Sequence, residues 1–206
     1  KSGLPSGDPV IIGDKDWDDG DGAGFAILTE GGEHWAVNIA NGTDRVDAFG
    51  GNIKNQDWHL ISVSFDRDGN MTLYQDGVSC GSTDISTIGN ISSGLPLNIG
   101  QDGTGAYGDF FAGNIDEIRI WNTVLDAATI QGHVCDEIAN PTTEANLIGY
   151  WKLNENTGTT SADETVNATN MTITGASWEV NSSKPTACDG TKYVMQGCFG
   201  TVISVD

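Results

Sequence analysis

Two neighbouring carboxylates, Asp116 and Glu117, stand at the head of the apolar segment "IRIW", which predicts a β-strand. The β-branched residues Ile115, Ile118 and Ile120 favour a strand over a helix. Carboxylates gathered at strand ends are oxygen ligands of the kind that calcium prefers. The same residues also suit a strand end whose polar side chains face water, and both interpretations stay open.

A second acidic segment, "GDKDWDDGDGAG", packs five aspartates into eight residues: Asp14, Asp16, Asp18, Asp19 and Asp21. It is not an EF-hand loop, because counting from Asp14 the sixth position is Asp19 rather than glycine and the twelfth is not glutamate. Like charges this close repel one another unless a cation or water screens them. Asp14, Asp16 and Asp18 therefore form a second candidate calcium site, and the alternative is a solvated loop.

Six tryptophans raise the question of sugar binding, because aromatic faces stack on sugar rings. Most of them lie in strand patterns with apolar neighbours, which favours core packing. Trp17 in the acidic loop is either an exposed platform or a lid over the core. Trp35 is the strongest exception to core packing, since "EGGEHWAVN" surrounds it with polar residues. Trp17 and Trp35 are the candidate ligand-binding residues.

The sequence shows no catalytic pattern. A glucanase needs spaced carboxylates, typically E-x-D-x-x-E, and no such string occurs. No G-x-S-x-G is present, and the three histidines, His34, His59 and His133, are scattered. We therefore expect this chain not to be an enzyme and assign no catalytic residue.

Composition narrows the class of partner. The net charge of −20 argues against nucleic acid, which requires a basic face. No apolar run is long enough to cross a membrane, so no membrane insertion is expected. The beginning, Lys1-Ser2-Gly3, is not a signal peptide and suggests a processed or excised chain.

Four cysteines lack any C-x-x-C spacing, which disfavours zinc. Their even number in an acidic, glycine-rich chain favours disulfides over buried thiols. Disulfides imply an oxidising compartment, so we expect the protein to be secreted or at the cell surface, extracellular or periplasmic.

Strand candidates follow one another at the spacing of an all-β sandwich. They are Val10–Ile12, Gly24–Leu28, His34–Ile39, Arg45–Phe49, His59–Asp66, Met71–Gln75, Pro96–Ile99, Ile115–Trp121, the segment "LIGYW" and Met171–Trp178. One helix is predicted over Asp126–Val134, with Asp126 as its N-cap. The tail "GTVISVD" is a possible last strand.

Three of these segments occur in a fixed order, "QDWHLISVSFDRDGNMTLYQDG", "LPLNIGQDGTG" and "GNIDEIRIWNTVLDAATI". Together they resemble the laminin G-like, concanavalin A-like lectin/glucanase domains of bacterial secreted and surface proteins, over roughly residues 8–178. The resemblance implies a jelly-roll sandwich of two antiparallel sheets with one short helix. A weaker resemblance is to accessory modules of secreted phosphodiesterases and alkaline-phosphatase-like enzymes, and to adhesins.

"LIGYWKLNENTGTTSADE" looks like the strand that opens such a domain, yet it comes late in this chain. It is either the opening strand of a permuted domain or the start of a second domain, and we favour the first. The predicted organisation is one jelly roll over 1–180, with residues 147–178 supplying the opening strand, and a cysteine-containing tail over 181–206.

The resemblance also implies particular residue roles. The Asp of "IDEIRI" often ligates a structural calcium in related domains, which makes Asp116 the expected ligand and Glu155 its neighbour. If residues 147–178 fill the opening position, a Cys135–Cys188 disulfide closes that insert and Cys80 pairs with Cys198. The rival pairing joins Cys188 to Cys198 and leaves Cys80 and Cys135 reduced.

These observations favour a non-catalytic, calcium-stabilised carbohydrate-binding or adhesion module of a secreted bacterial protein. Its partner is then a glycan or polysaccharide. The alternative is a structural accessory domain that packs against an upstream catalytic domain of the phosphodiesterase or alkaline-phosphatase type. A glycoside hydrolase is the third and weakest hypothesis.

Overall fold

The computed structural model of the 206-residue chain describes residues 7–31, 33–55, 57–134 and 136–179, together with the backbone of Thr201–Val205. The described residues form thirteen strands and one helix. The elements are β1 (Val10–Gly13), β2 (Gly24–Glu30), β3 (His34–Ala40), β4 (Arg45–Asn52), β5 (Ile61–Phe65), β6 (Asn70–Gln75), β7 (Val78–Asp84), β8 (Asn98–Ile99), β9 (Ile118–Trp121), α1 (Ala127–Gly132), β10 (Leu147–Trp151), β11 (Thr160–Ser161), β12 (Met171–Thr172) and β13 (Thr201–Val205). The predicted all-β class with one short helix is therefore confirmed.

The strands form two large sheets and one small one. A five-stranded antiparallel sheet has the order β4-β3-β2-β1-β8, and a six-stranded sheet has the order β10-β9-β13-β5-β6-β7. The predicted last strand, β13, lies between β9 and β5 and runs parallel to both. Strands β11 and β12 pair separately.

The register of the five-stranded sheet separates its two faces. Asn38 pairs with Ala26 on one side and with Asp47 on the other, and residues directly opposite each other in antiparallel strands share a face. Trp35 and Val37 alternate with Asn38 along β3 and so point to the opposite face, where both are fully buried.

The described chain divides into two compact units. Unit 1 comprises residues up to 56 with Asp66–Leu73 and Cys80–Asn114, and unit 2 comprises Asp57–Phe65, Tyr74–Ser79 and the chain from Ile115 onwards. One core cluster in unit 1 consists of Val10, Ala26, Leu28 and Ala36. In unit 2 the cluster consists of Leu60, Tyr74, Trp121, Leu125, Ile130, Ile138, Leu147 and Tyr150.

Several boundaries differ from the predicted ones for local reasons. Strand β9 begins at Ile118 rather than Ile115, because Glu117 has a φ of 55°, a left-handed conformation that no strand continues through. The predicted strand Met171–Trp178 is paired only over Met171–Thr172. Asp126 caps the helix as predicted, since its side chain accepts a hydrogen bond from the Thr129 N–H at 2.8 Å.

The paired segment Val78–Asp84 was not predicted. Its serine, glycine and cysteine residues alternate weakly, and most of its side chains are exposed. "LIGYW" forms β10, which pairs antiparallel with β9. The division into a domain over 1–180 and a tail over 181–206, with the permuted opening strand, stays a prediction. No helix in the described part of the chain is long and apolar enough to cross a membrane.

Candidate functional site

The loop between β1 and β2 carries Trp17 and is closed at its base by Asp14. The Asp14 N–H donates to the Phe25 carbonyl at 3.1 Å, and the Phe25 N–H donates to Asp14 Oδ1 at 2.9 Å. Burial raises the pKa of Asp14, and the bond from Phe25 partly opposes that shift. Asp14 therefore holds the ends of the loop together.

Asp102, in the segment that follows β8, fastens this loop from a second side. Its Oδ2 accepts the Trp17 backbone N–H at 3.0 Å, while its Oδ1 accepts from Thr104 and from the Gly105 N–H. The Gly103 N–H donates to the Lys15 carbonyl at 2.8 Å. Burial alone would raise the pKa of Asp102, but these hydrogen bonds outweigh it, so the pKa lies below its usual range.

The indole of Trp17 is held in place at its polar edge. Trp17 Nε1 donates to Asp8 Oδ2 at 3.0 Å, and the Tyr107 hydroxyl donates to Asp8 Oδ1 at 2.6 Å. Burial and the bond to Asp8 raise the pKa of Tyr107, so its hydroxyl stays a donor. The ring packs against the core cluster of unit 1 but remains partly exposed. Trp17 is thus both a lid over that cluster and an accessible aromatic surface.

A charged network lies beside Trp17 on strands β3 and β4. Lys15 is fully buried, and its Nζ donates to the Gly20 carbonyl at 2.6 Å and to Asn38 Oδ1 at 2.8 Å. The Asn38 side-chain amide donates to Asp47 Oδ1 at 2.7 Å. Arg45 donates two hydrogen bonds to Asp47, from Nε to Oδ2 at 2.8 Å and from Nη2 to Oδ1 at 3.0 Å.

The electrostatics of this network follow from burial and pairing. Burial, with a smaller repulsion from Arg45, lowers the pKa of Lys15 to about 8. Burial would raise the pKa of Asp47, but hydrogen bonds from Arg45 and Asn38 bring it below its usual value. The Arg45 guanidinium carbon lies 5.7 Å from the Trp17 ring centroid and Lys15 Nζ lies 5.8 Å from it, near the outer limit of a cation–π contact.

We call the assembly of Asp8, Lys15, Trp17, Asn38, Arg45, Asp47 and Tyr107 the Trp17 site. All seven residues belong to unit 1. Arg45 and Asp47 remain more than a third exposed, whereas the groups behind them are bound internally. The site therefore presents to a ligand in solution the aromatic surface of Trp17 next to the planar, hydrogen-bonding Arg45–Asp47 pair.

The other predicted ligand-binding residue, Trp35, lies in the core. It is fully buried, and a Cβ added at Gly50 would stand 2.1 Å from its Cε2 atom. A ring enclosed in this way cannot stack on a sugar that arrives from solvent. Its polar neighbours Glu33 and His34 lie in the turn before β3 and at the first position of that strand, and both are exposed, whereas Trp35 is the second residue of the strand.

Several of the predicted calcium ligands accept hydrogen bonds within the chain. Asp116 is buried at 6% exposed. Glu155 Oε1 accepts hydrogen bonds from Ser161 Oγ and the Ala162 N–H, both at 2.8 Å. Asp16 Oδ1 accepts the Asp18 N–H. In the described ranges no group of three or more His, Cys, Asp or Glu side chains is arranged to hold a metal ion. The calcium site expected at Asp116 and Glu155, and the second one expected at Asp14, Asp16 and Asp18, stay predictions.

The predicted disulfides cannot be followed, because Cys135, Cys188 and Cys198 lie outside the described residues. Cys80 is exposed on β7, and its Sγ is 3.6 Å from the Leu73 carbonyl. Both proposed pairings stay predictions.

Six residues of the site were missed from sequence, namely Asp8, Lys15, Asn38, Arg45, Asp47 and Tyr107. Two signals were available. Asn38 interrupts the otherwise apolar end of β3, and Arg45 and Asp47 are two residues apart on β4, which places them on one face. Their proximity to Trp17 could not be predicted, because it depends on how the strands pair.

The comparisons with known proteins bear on the fold. The sequence profile of the concanavalin A-like lectin/glucanases superfamily matches residues 2–131. A solved structure from Bacteroides ovatus, of a "putative carbohydrate binding protein", has a TM-score of 0.61 and 16% sequence identity. The alignment covers 86% of this chain and 52% of that one, so this chain spans about half of its length. No curated protein matches the sequence.

The chain therefore belongs to the concanavalin A-like lectin/glucanase superfamily, and the laminin G-like resemblance and jelly-roll class predicted from sequence are confirmed. At 16% identity the Bacteroides ovatus structure shows a common fold. The ligand of this chain has to be inferred from the residues of this chain.

Proposed function

We propose that this chain is a non-catalytic carbohydrate-binding module and that the Trp17 site is where it binds. The observation that carries the proposal is the partly exposed Trp17 ring, fixed by Asp8 and bordered by Arg45 and Asp47. The superfamily of the chain and the name of the Bacteroides ovatus protein support the same class of ligand.

The chemistry of the site suits a sugar. The apolar face of a sugar ring packs on an aromatic surface, and its hydroxyls both donate and accept hydrogen bonds. Asp47 supplies acceptor oxygens and Arg45 supplies donors in a planar arrangement, next to the ring of Trp17. Because Asp8, Asp102 and Lys15 already hold the site in position, little conformational entropy is lost when a ligand binds.

The same geometry disfavours catalysis at this site. Glycoside hydrolysis requires a carboxylic acid that is protonated near neutral pH, together with a second carboxylate. The pKa of Asp47 is lowered through its bonds to Arg45 and Asn38, so this group stays ionised. Asp8 is bound by Trp17 and Tyr107. The site therefore has the groups to bind a sugar, and we assign none of its carboxyl groups to cleavage.

A glycan array followed by calorimetry on the hits tests the proposal. We expect Trp17→Ala to remove binding, since the aromatic contact is central to the site. Trp178→Ala is the matched control: Trp178 is also a partly exposed tryptophan with a hydrogen-bonded Nε1, and it lies in unit 2. Silence of the wild type across neutral and acidic glycans, or equal binding by Trp17→Ala, contradicts the proposal.

Secretion, cell-surface location, adhesion and attachment to an upstream catalytic domain stay proposals that rest on the sequence.

Binding of a structural calcium ion is a separate proposal, supported by the family resemblance and the buried Asp116 carboxylate. A native-state ligand raises stability by mass action. Chelated protein titrated with calcium at constant ionic strength should gain melting temperature, and Asp116→Asn should lose the gain; an unchanged melting temperature ends the calcium proposal.

A further inference from the structure

Two exposed phenylalanines end a row of residues that crosses the five-stranded sheet. Ala36 pairs with Phe49 on β4 and with Leu28 on β2, and Leu28 pairs with Val10 on β1. Val10 then forms a bridge with Phe110. Directly paired residues share a face of the sheet. The row therefore runs Phe110–Val10–Leu28–Ala36–Phe49 across one face.

This row passes under Trp17. Val10, Leu28 and Ala36, the three middle residues, belong to the cluster against which Trp17 packs, and all three are buried. The two end residues differ from them, because Phe49 is 57% exposed and Phe110 is 67% exposed. Four steps of about 4.8 Å between strands separate the two phenylalanines by roughly 19 Å. Three aromatic side chains thus occupy one sheet face, with Trp17 over the middle.

The charges around the face restrict what it can bind. Asp18, Asp19 and Asp21 are exposed in the same loop that carries Trp17, and the chain has a net charge of −20. Arg45 is bound to Asp47 by two hydrogen bonds, so its charge is largely balanced. A polyanion would meet repulsion here, whereas an uncharged chain would not.

On the basis of the proposed function, we propose that Phe49 and Phe110 form outer subsites on either side of Trp17. The ligand is then an uncharged linear oligosaccharide or polysaccharide that lies across strands β1 to β4. A single terminal sugar could contact Trp17 and the Arg45–Asp47 pair, but it could not reach both phenylalanines.

A length series tests this proposal by calorimetry. The probes are laminari- and cello-oligosaccharides from two to six glucose units, with oligogalacturonates of the same lengths as anionic probes. If the array identifies another neutral polysaccharide, its oligomers replace the glucans. Affinity should rise with chain length for the neutral series, and the anionic series should not bind. Phe49→Ala and Phe110→Ala should each weaken binding of the longest neutral probe roughly tenfold, as expected for one lost aromatic contact, and leave that of the disaccharide unchanged.

The outcomes separate the two proposals. Val166→Ala, at a 71% exposed apolar residue of unit 2, is the control and should bind like the wild type. Equal affinity for short and long probes, wild-type binding by both phenylalanine variants, or binding of oligogalacturonate overturns the subsite proposal and leaves carbohydrate binding at Trp17 intact. Binding of no glycan by the wild type overturns the proposed function and the subsites together.

Discussion

At the scale of single residues, the most unusual group in the chain is Lys15. Its ammonium is fully buried beneath the acidic loop and donates to the Gly20 carbonyl and to Asn38. A buried charge is costly unless it is well paired. Lys15 therefore connects the loop to β3 at an electrostatic cost, which its lowered pKa reflects.

The pH dependence of stability measures that cost. The pKa of Lys15 falls from 10.5 to about 8 in the folded chain. Between these values the unfolded chain binds a proton that folded Lys15 lacks, so the free energy of unfolding should rise with pH from about 8 to about 10.5. We expect the stability of the wild type relative to Lys15→Met to increase across this window.

Urea denaturation at several pH values provides the measurement. Lys54→Met is the control, because Lys54 is exposed and its ammonium is 3.8 Å from Glu33. Relative to that variant the wild type should show no comparable rise. If the difference in the free energy of unfolding between the wild type and Lys15→Met did not change with pH, the ammonium of Lys15 would be as well solvated in the folded protein as in the unfolded one.

Residue types in the sequence were a partial guide to the site. The quoted aspartate loop and its tryptophan identified the segment in which the Trp17 site lies. The polar flanks of Trp35 were misleading, because a turn residue next to a strand does not determine which face the strand residue occupies. His34, the first residue of β3, is exposed, whereas Trp35 and every later residue of that strand are buried.

At the scale of secondary structure elements, a buried ion pair at the start of β9 is linked to β10 in unit 2 by a tyrosine. Arg119 Nη2 lies 2.7 Å from Glu117 Oε2, and the Tyr150 hydroxyl donates to the same oxygen at 2.6 Å. Arg119 also donates to the carbonyls of His133 and Asp136, beyond the end of the helix. Of the two neighbouring carboxylates Asp116 and Glu117, Glu117 therefore has a structural role as the partner of Arg119.

Removing Glu117 should be strongly destabilising. Glu117→Ala leaves Arg119 buried without its carboxylate, and breaking such a pair costs about 3–5 kcal/mol in the free energy of unfolding. Glu137→Ala breaks the more exposed pair with Lys152, at 2.9 Å, and should cost less than about 1 kcal/mol. Chemical denaturation compares the two variants, and equal losses would show that the Glu117 pair is no better shielded from water.

A glycine on β4 marks a second constraint between elements. A Cβ at Gly50 would stand 2.1 Å from the Trp35 ring, closer than any packed contact. Gly50→Ala should therefore displace Trp35 and lower the free energy of unfolding by about 1–3 kcal/mol. Gly108→Ala is the matched control, since nothing lies within 4 Å of its added Cβ. Equal melting temperatures for the two variants would contradict tight packing of Trp35 on β4.

Strands with strong alternation were predictable, and those that depend on partners were not. Ile61, Val63 and Phe65 alternate with serines, and the predicted strand His59–Asp66 needed only its two ends shortened to Ile61–Phe65. β7 has no such pattern and exists because β6 offers it an edge. The parallel pairing of β13 between β5 and β9 joins distant parts of the chain, and no local pattern encodes such a pairing.

At the scale of the whole chain, charge is the dominant feature. The 29 acidic side chains outnumber the 9 basic ones, so they cannot all be paired one to one with basic side chains. A net charge of this size favours solubility and opposes compactness through self-repulsion. Buried carboxylates such as Asp102 and Asp163 are instead satisfied by neutral hydrogen-bond donors.

Salt should therefore stabilise the protein. The Debye length falls from about 30 Å at 0.01 M salt to about 8 Å at 0.15 M, which screens repulsion between exposed carboxylates but hardly affects buried hydrogen bonds. We expect the melting temperature to rise steeply over this range of sodium chloride and to level off above it, with potassium chloride giving the same curve. A variant with Asp18, Asp19 and Asp21 changed to asparagine removes three exposed charges from one loop. It should melt at a higher temperature than the wild type at low salt and approach it at high salt. A melting temperature that is independent of salt, or a gap between the variants that persists at high salt, would show that self-repulsion does not limit the stability of this fold.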